Sequence, residues 1–143
     1  MRKCLALPLL IASLFGTACS LAKKHAQSKP NPQLAGTWQL DHIPGGSPRQ
    51  LFGKDIPTLT FDVKNRRFSG YAGCNKISGP LAATKDSISF KGEMAITLMA
   101  CPDKKEKEFL DFLKRVYKFN ITPDGKSLML IQGDMALLTF LKM

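Results

Sequence analysis

Two cysteines carry most of the chemical potential of this chain. Cys74 ends the run Gly70-Tyr71-Ala72-Gly73-Cys74-Asn75, and Cys101 sits near the end of Thr97-Leu98-Met99-Ala100-Cys101-Pro102, so each closes an apolar, strand-like stretch. Three kinds of chemistry are open to them. In an oxidising compartment two such thiols pair if their Cα atoms come within about 7 Å. A bridge across this separation would stabilise a fold by roughly 3 to 4 kcal/mol in the chain-entropy picture. Two buried free thiols are the second possibility. A redox or metal pair is the third, but redox pairs favour Cys-x-x-Cys spacing and zinc needs further ligands. For those the chain offers only His25 and His42.

Other chemistry finds no support in the residues. No glycine-rich loop opens a helix to cradle phosphate, and no nucleophile motif brings serine, histidine and aspartate together. Paired carboxylates can serve a glycosidase, yet Asp103, Glu106, Glu108 and Asp111 alternate with Lys104, Lys105 and Lys107 in the manner of a solvated helix face. The expectation is a protein that is not an enzyme, with no catalytic, cofactor-binding or metal-binding residues and no cofactor. Asn75 is read as satisfying backbone groups in a tight turn. Gly70 and Gly73, inside a strand pattern, suggest a bulge or close backbone approach. Trp38 is assigned to the core with its N–H bonded to a carbonyl. Thr97 and Met99 are placed in the space beneath a helix.

The amino terminus points to export. Arg2 and Lys3 precede an apolar stretch from Leu5 to Phe15, too short to cross a bilayer but suited to a signal peptide. Small residues Gly16-Thr17-Ala18 then lead into Cys19, which resembles the lipobox of bacterial lipoproteins, although Gly16 stands where leucine is usual. The expectation is a signal peptide over 1–18, lipidation of Cys19, a polar tether over 19–33 and a folded domain over 34–143. An ordinary cleavable signal cut after Ala18 or after Ala22 is the alternative. The protein would then face the periplasm from a membrane, the outer one being favoured.

Charge narrows the partners. The chain carries 21 basic and 11 acidic side chains, a net charge of +10. An exported protein rarely meets nucleic acid, so none is expected as a partner. Anionic lipid, lipopolysaccharide, peptidoglycan or an envelope protein fit better, and the chain is expected to be monomeric.

From Gly36 the chain reads as short strands and turns. Thr37 to Leu40 begins it, Leu59, Phe61 and Val63 alternate with polar residues, and Lys64-Asn65-Arg66 turns into a strand over Arg67 to Tyr71. Further strands are predicted over 81–83, 87–90, 95–99, 117–122, 127–131 and 136–141, with turns at Pro123-Asp124-Gly125 and Gly133-Asp134. One segment departs from this. Asp103 to Arg115 shows an N-cap aspartate, Glu106 three residues on as in a capping box, and Phe109, Phe112, Leu113 and Val116 at helical spacing. The expected class is α+β: a curved, mainly antiparallel sheet or incomplete barrel with one helix packed on it. Residues 40–57, rich in glycine and proline, are assigned to an irregular loop at the rim.

Gly36, Thr37 and Trp38 at the start, Ser69-Gly70, Gly73-Cys74-Asn75 in the middle, Thr97, Leu98, Met99, Ala100 and Cys101 before the helix, and the closing Leu138-Thr139-Phe140 together resemble the META domain family. The likeness spans about residues 33–142. The family includes HslJ-type heat-shock proteins of the bacterial envelope, and the resemblance implies a small α+β domain, often on lipoproteins, without established catalysis and linked to heat shock, stress or drug tolerance. The functional expectation is a non-enzymatic binding module, the alternative being a periplasmic carrier or sensor of a hydrophobic ligand. Globomycin, which blocks lipoprotein processing, is expected to make the precursor accumulate, and labelled palmitate to enter the wild-type chain but not Cys19→Ser. Normal processing of Cys19→Ser would remove the lipid anchor.

Overall fold

The computed structural model describes residues 28–101 and 105–143. A 3-10 turn, Pro32–Leu34, leads into β1 (Gly36–His42), the short helix α1 (Pro48–Phe52), β2 (Thr58–Asp62), β3 (Arg67–Tyr71) and β4 (Lys76–Pro80). Then come β5 (Ala82–Ala83), β6 (Ile88–Ser89), β7 (Ala95–Ile96), helix α2 (Glu106–Arg115), β8 (Lys118–Ile121), β9 (Ser127–Gln132) and β10 (Met135–Lys142). Eight strands form one open antiparallel sheet in the order β7-β4-β3-β2-β1-β10-β9-β8. The β5–β6 hairpin is separate and touches β8 through a bridge between Ser87 and Lys118. This is the expected α+β architecture, with the sheet left open.

Alternation along the strands sorts the side chains into two faces. Trp38 lies opposite Leu59, Leu40 opposite Phe140, and Phe140 opposite Leu128, so the inner face is a continuous apolar surface. α2 covers it with Phe109 and Leu113, four residues apart on one stripe, followed by Val116. Its outer side carries Lys105–Glu108 and Lys107–Asp111 pairs. Two aromatic clusters fill the interior. Phe109 meets Phe52 and Phe140 edge-on, both with centroids 6.4 Å apart, and Phe90 packs on Phe68 at 5.1 Å and Phe61 at 6.3 Å. Trp38 is fully buried and its indole N–H donates to the Leu34 carbonyl at 2.9 Å, as its sequence context predicts.

The turns follow their residue chemistry. Asp62 accepts from the Asn65 backbone N–H at 2.9 Å and from its amide at 2.7 Å, and these bonds hold its carboxyl below the usual value. Gly125 takes φ 71 and Gly133 φ 62 in the last two hairpins. Asp124 is likewise held low, first by the Thr122 hydroxyl and then by the Lys126 N–H.

Several expectations need correction. Residues 40–57 are not merely a rim loop, because β1 runs on to His42 and α1 follows. Ser47 and Gln50 cap α1 reciprocally and Pro48 opens it, so a proline among glycines is here a helix start. β4 falls where no strand was expected, and β7 is paired only over Ala95–Ile96. The described α2 begins at Glu106, with Lys105 at the cap position and no side-chain cap; Asp103 lies outside the described residues.

α1 exists to deliver Phe52. Gly73, at φ +100, lies flat against that ring, and a Cβ there would run into Phe52 Cδ1. Gly70 is equally constrained, since a Cβ would meet the Thr58 carbonyl oxygen across the β2–β3 pair. Gly73→Ala is therefore expected to cost about 2–5 kcal/mol, left-handed strain plus overpacking. Gly125→Ala, with open space around its Cβ, should cost only the strain, about 1–2 kcal/mol. Urea unfolding followed by Trp38 fluorescence separates the two, and equal losses would show that Phe52 moves aside freely.

Candidate functional site

One corner of the domain gathers most of the residues singled out in the sequence. β3 and β4 are joined by a loop that closes with the Ala72 N–H donating to the Asn75 carbonyl at 2.8 Å. Gly73 provides the turn, Cys74 points to the 97–101 segment, and Asn75 turns inward. Cys74 and Cys101 are joined as a disulfide with their Cα atoms 6.2 Å apart. The bridge ties the β3–β4 loop to the segment that leads toward α2.

Asn75 is the buried polar residue of this corner, 5% exposed, and every arm of its side chain is engaged. Its Oδ1 accepts from the Met99 N–H at 2.7 Å and the Thr97 hydroxyl at 2.9 Å. Its Nδ2 donates to Glu106 Oε2 at 2.8 Å, with longer contacts to the Met99 carbonyl at 3.4 Å and Cys101 Sγ at 3.7 Å. Its backbone N–H donates to Glu106 Oε1 at 2.9 Å. The carboxamide thus meets both the N–H and the C=O of Met99, as a peptide group on a neighbouring strand would. It extends the β4–β7 ladder beyond the start of β4 and the end of β7. Lys76 continues the same pairing, its N–H reaching the Thr97 hydroxyl at 3.0 Å while its carbonyl accepts from the Thr97 N–H at 3.1 Å.

This alters three expectations. Asn75 does satisfy backbone groups, but on a segment far along the chain and not within its own turn. Thr97 and Met99 do not fill space beneath the helix; both are exposed, Met99 by 63%, and it is their backbone and the Thr97 hydroxyl that are used. Glu106 is not part of a described capping box. It crosses from α2 to hold Asn75, a role that the sequence hides behind its helical surroundings. Ala100 is exposed in the same segment. Trp38 and Gly36 sit apart from the corner, in and beside the core, and a Cβ on Gly36 would meet the Lys142 side chain at 3.3 Å. Cys19 lies outside the described residues.

The two sulfurs and a Glu106 oxygen lie within 4.8 Å of one another, the outline of a soft metal site. Joined to each other, the sulfurs offer no thiolate, and Glu106 is already bonded to Asn75. In this form the corner is a clamp. Beside it, on the solvent side of β3, β4 and β7, lies an open depression of about 660 Å³ lined by Tyr71, Lys76, Ser78, Ile96 and Thr97 among others.

The family described as META domain matches residues 32–143. A protein from Burkholderia xenovorans, solved by NMR, is 25% identical with a TM-score of 0.59, the match covering 80% of this chain and 90% of that one. A second NMR structure is 22% identical with a TM-score of 0.58, covering 76% of this chain and 90% of that one, and shows likeness of fold. No curated protein matches.

Because Asn75 and the disulfide hold the same segment, their contributions should overlap. Reduction is expected to cost about 3.5 kcal/mol. Asn75→Ala, which strands the Met99 N–H and a Glu106 carboxylate oxygen, should cost about 2–4 kcal/mol. The two together should fall short of additivity by about 1 kcal/mol. Urea unfolding of the four species measures this, and strict additivity would show that the two restraints act independently.

Proposed function

The chain belongs to the META domain family, and on that footing we propose that it is a non-enzymatic lipoprotein of the bacterial cell envelope that works by binding a partner. The filled interior is the observation that carries this reading. Trp38, Phe52, Phe61, Phe90, Phe109 and Phe140, all essentially fully buried, occupy the space between sheet and helix. A carrier of acyl chains or hydrophobic drugs needs a cavity lined from both. Recognition therefore falls to the surface.

Two further features support it. A Cys74–Cys101 disulfide suits an oxidising compartment, in keeping with the signal peptide expected over residues 1–18. Carboxylates that could do acid–base work have other duties: Glu106 holds Asn75, and Glu108 and Asp111 pair with lysines on the open side of α2. A role in envelope stress or drug tolerance is the physiological part of the proposal.

Membranes from cells producing the lipidated chain, carrying a photo-crosslinking residue in turn at exposed positions on each face, should yield a discrete adduct from one face only. Native mass spectrometry of the purified protein should give the mass of the chain alone. A stoichiometric lipid or drug adduct would overturn the binding-module reading in favour of a carrier.

A further inference from the structure

The bonds at the Cys74–Asn75 corner leave one edge of the sheet prepared for another strand. β7 is the terminal strand, paired with β4 only at Ile77–Ile96 and Ser78–Ala95. Past it the chain keeps the same alternation, with the Thr97 N–H on the Lys76 carbonyl and Met99 on the Asn75 carboxamide. Ala95, Thr97 and Met99 therefore turn their backbone groups toward β4. Strand geometry then turns the N–H and C=O of Ile96 and Leu98 outward, and among the described residues those groups have no partner.

Exposed edges are commonly blunted by charge, proline or a bulge. This one has no charged residue or proline from Ala95 to Cys101. It shows apolar side chains instead, with Ile96 exposed by 36%, Leu98 by 97% and Met99 by 63%. The side-chain amide of Asn75 and the disulfide tether that segment, so less ordering entropy remains to be lost when a strand is added.

We infer that this edge receives an extended segment of another polypeptide as an added strand beside β7, apolar at alternate positions and acidic at its flanks. The inference rests on the binding-module reading and names its surface. Outward backbone groups at Ile96 and Leu98 supply the main-chain bonds, and the depression beside them supplies a pocket for a side chain. Charge complementarity selects acidic flanks, because Lys76 lines that depression on a chain of net charge +10. A second copy fits poorly. Two such chains repel, and self-pairing through the short edge from Ala95 to Met99 buries far less than the roughly 1,200 Å² of a stable interface.

The test uses the full chain with Cys19→Ser, labelled with nitrogen-15, titrated with the peptide acetyl-Glu-Val-Thr-Val-Glu-amide and a lysine-flanked counterpart. The Ile96 and Leu98 amide protons should move downfield and gain about fivefold protection from exchange, those of Thr97 and Met99 moving less because they are already bonded. The lysine-flanked peptide should bind about tenfold more weakly. Ile96→Pro removes an outward N–H together with an apolar side chain that lines the depression, and should abolish the response at Leu98 with Trp38 fluorescence unchanged. Leu98→Lys, which leaves every backbone bond in place, should weaken it as well. Silence at Ile96 and Leu98 up to millimolar peptide would overturn the inference, as would equal binding of both peptides. Shifts that follow chain concentration without peptide would assign the edge to a second copy, and shifts with phosphatidylglycerol vesicles alone would assign it to a membrane; either also overturns it. Envelope crosslinking through another face, with this edge silent, would sink the inference and leave the binding-module reading standing.

Discussion

An amide taken out of water must find a partner for each donor and acceptor it carries, and the corner of this domain is built around one that does. Asn75 sits where four elements meet: the β3–β4 loop that contains it, the end of β7, the disulfide, and the first turn of α2. Its carboxamide is bonded to the Thr97–Met99 segment on one side and to Glu106 on the other. A buried group of this kind adds specificity as well as stability, because any other docking of α2 would leave the buried Asn75 amide without its Glu106 partner. The helix is therefore placed by a polar contact at its start and by Phe109 and Leu113 along its length.

The rest of the packing radiates from the same corner. Gly73 admits the Phe52 ring, Phe52 meets Phe109, and Phe109 meets Phe140 at the middle of the sheet. A backbone position that only glycine tolerates is thus the first link in a chain of aromatic contacts that crosses the core. This explains why a five-residue helix in a glycine- and proline-rich stretch is worth forming: it contributes one ring to the place where the others converge.

Much of the architecture was legible in the residues. The last two hairpins were readable because alternation and the turn residues Pro123-Asp124-Gly125 and Gly133-Asp134 agree, and the stripe of α2 because Phe109, Leu113 and Val116 repeat at helical spacing. β4 was not, since Gly79 and Pro80 break its apolar pattern, and α1 was masked by its composition. The corner was half legible. Its cysteines, glycine and asparagine stand out as residue types, but a side-chain bond from Asn75 to Glu106 has no period and leaves no local trace. Thr97 and Met99 misled for a related reason: an apolar run before a helix looks like core, whereas this one is held by its backbone and wears its side chains outside.

The seam between β1 and β10 has its own consequence. Trp38 pairs opposite Lys142, the two ends of the domain meeting in the centre of the sheet. Each half of the sheet, β1 with β2, β3 and β4 on one side and β8 with β9 and β10 on the other, is made of neighbours in sequence and can assemble locally. The line that unites them needs the last residues to be present. Until β10 reaches β1 the sheet stays open down its middle, so its two locally built halves are joined in one late act.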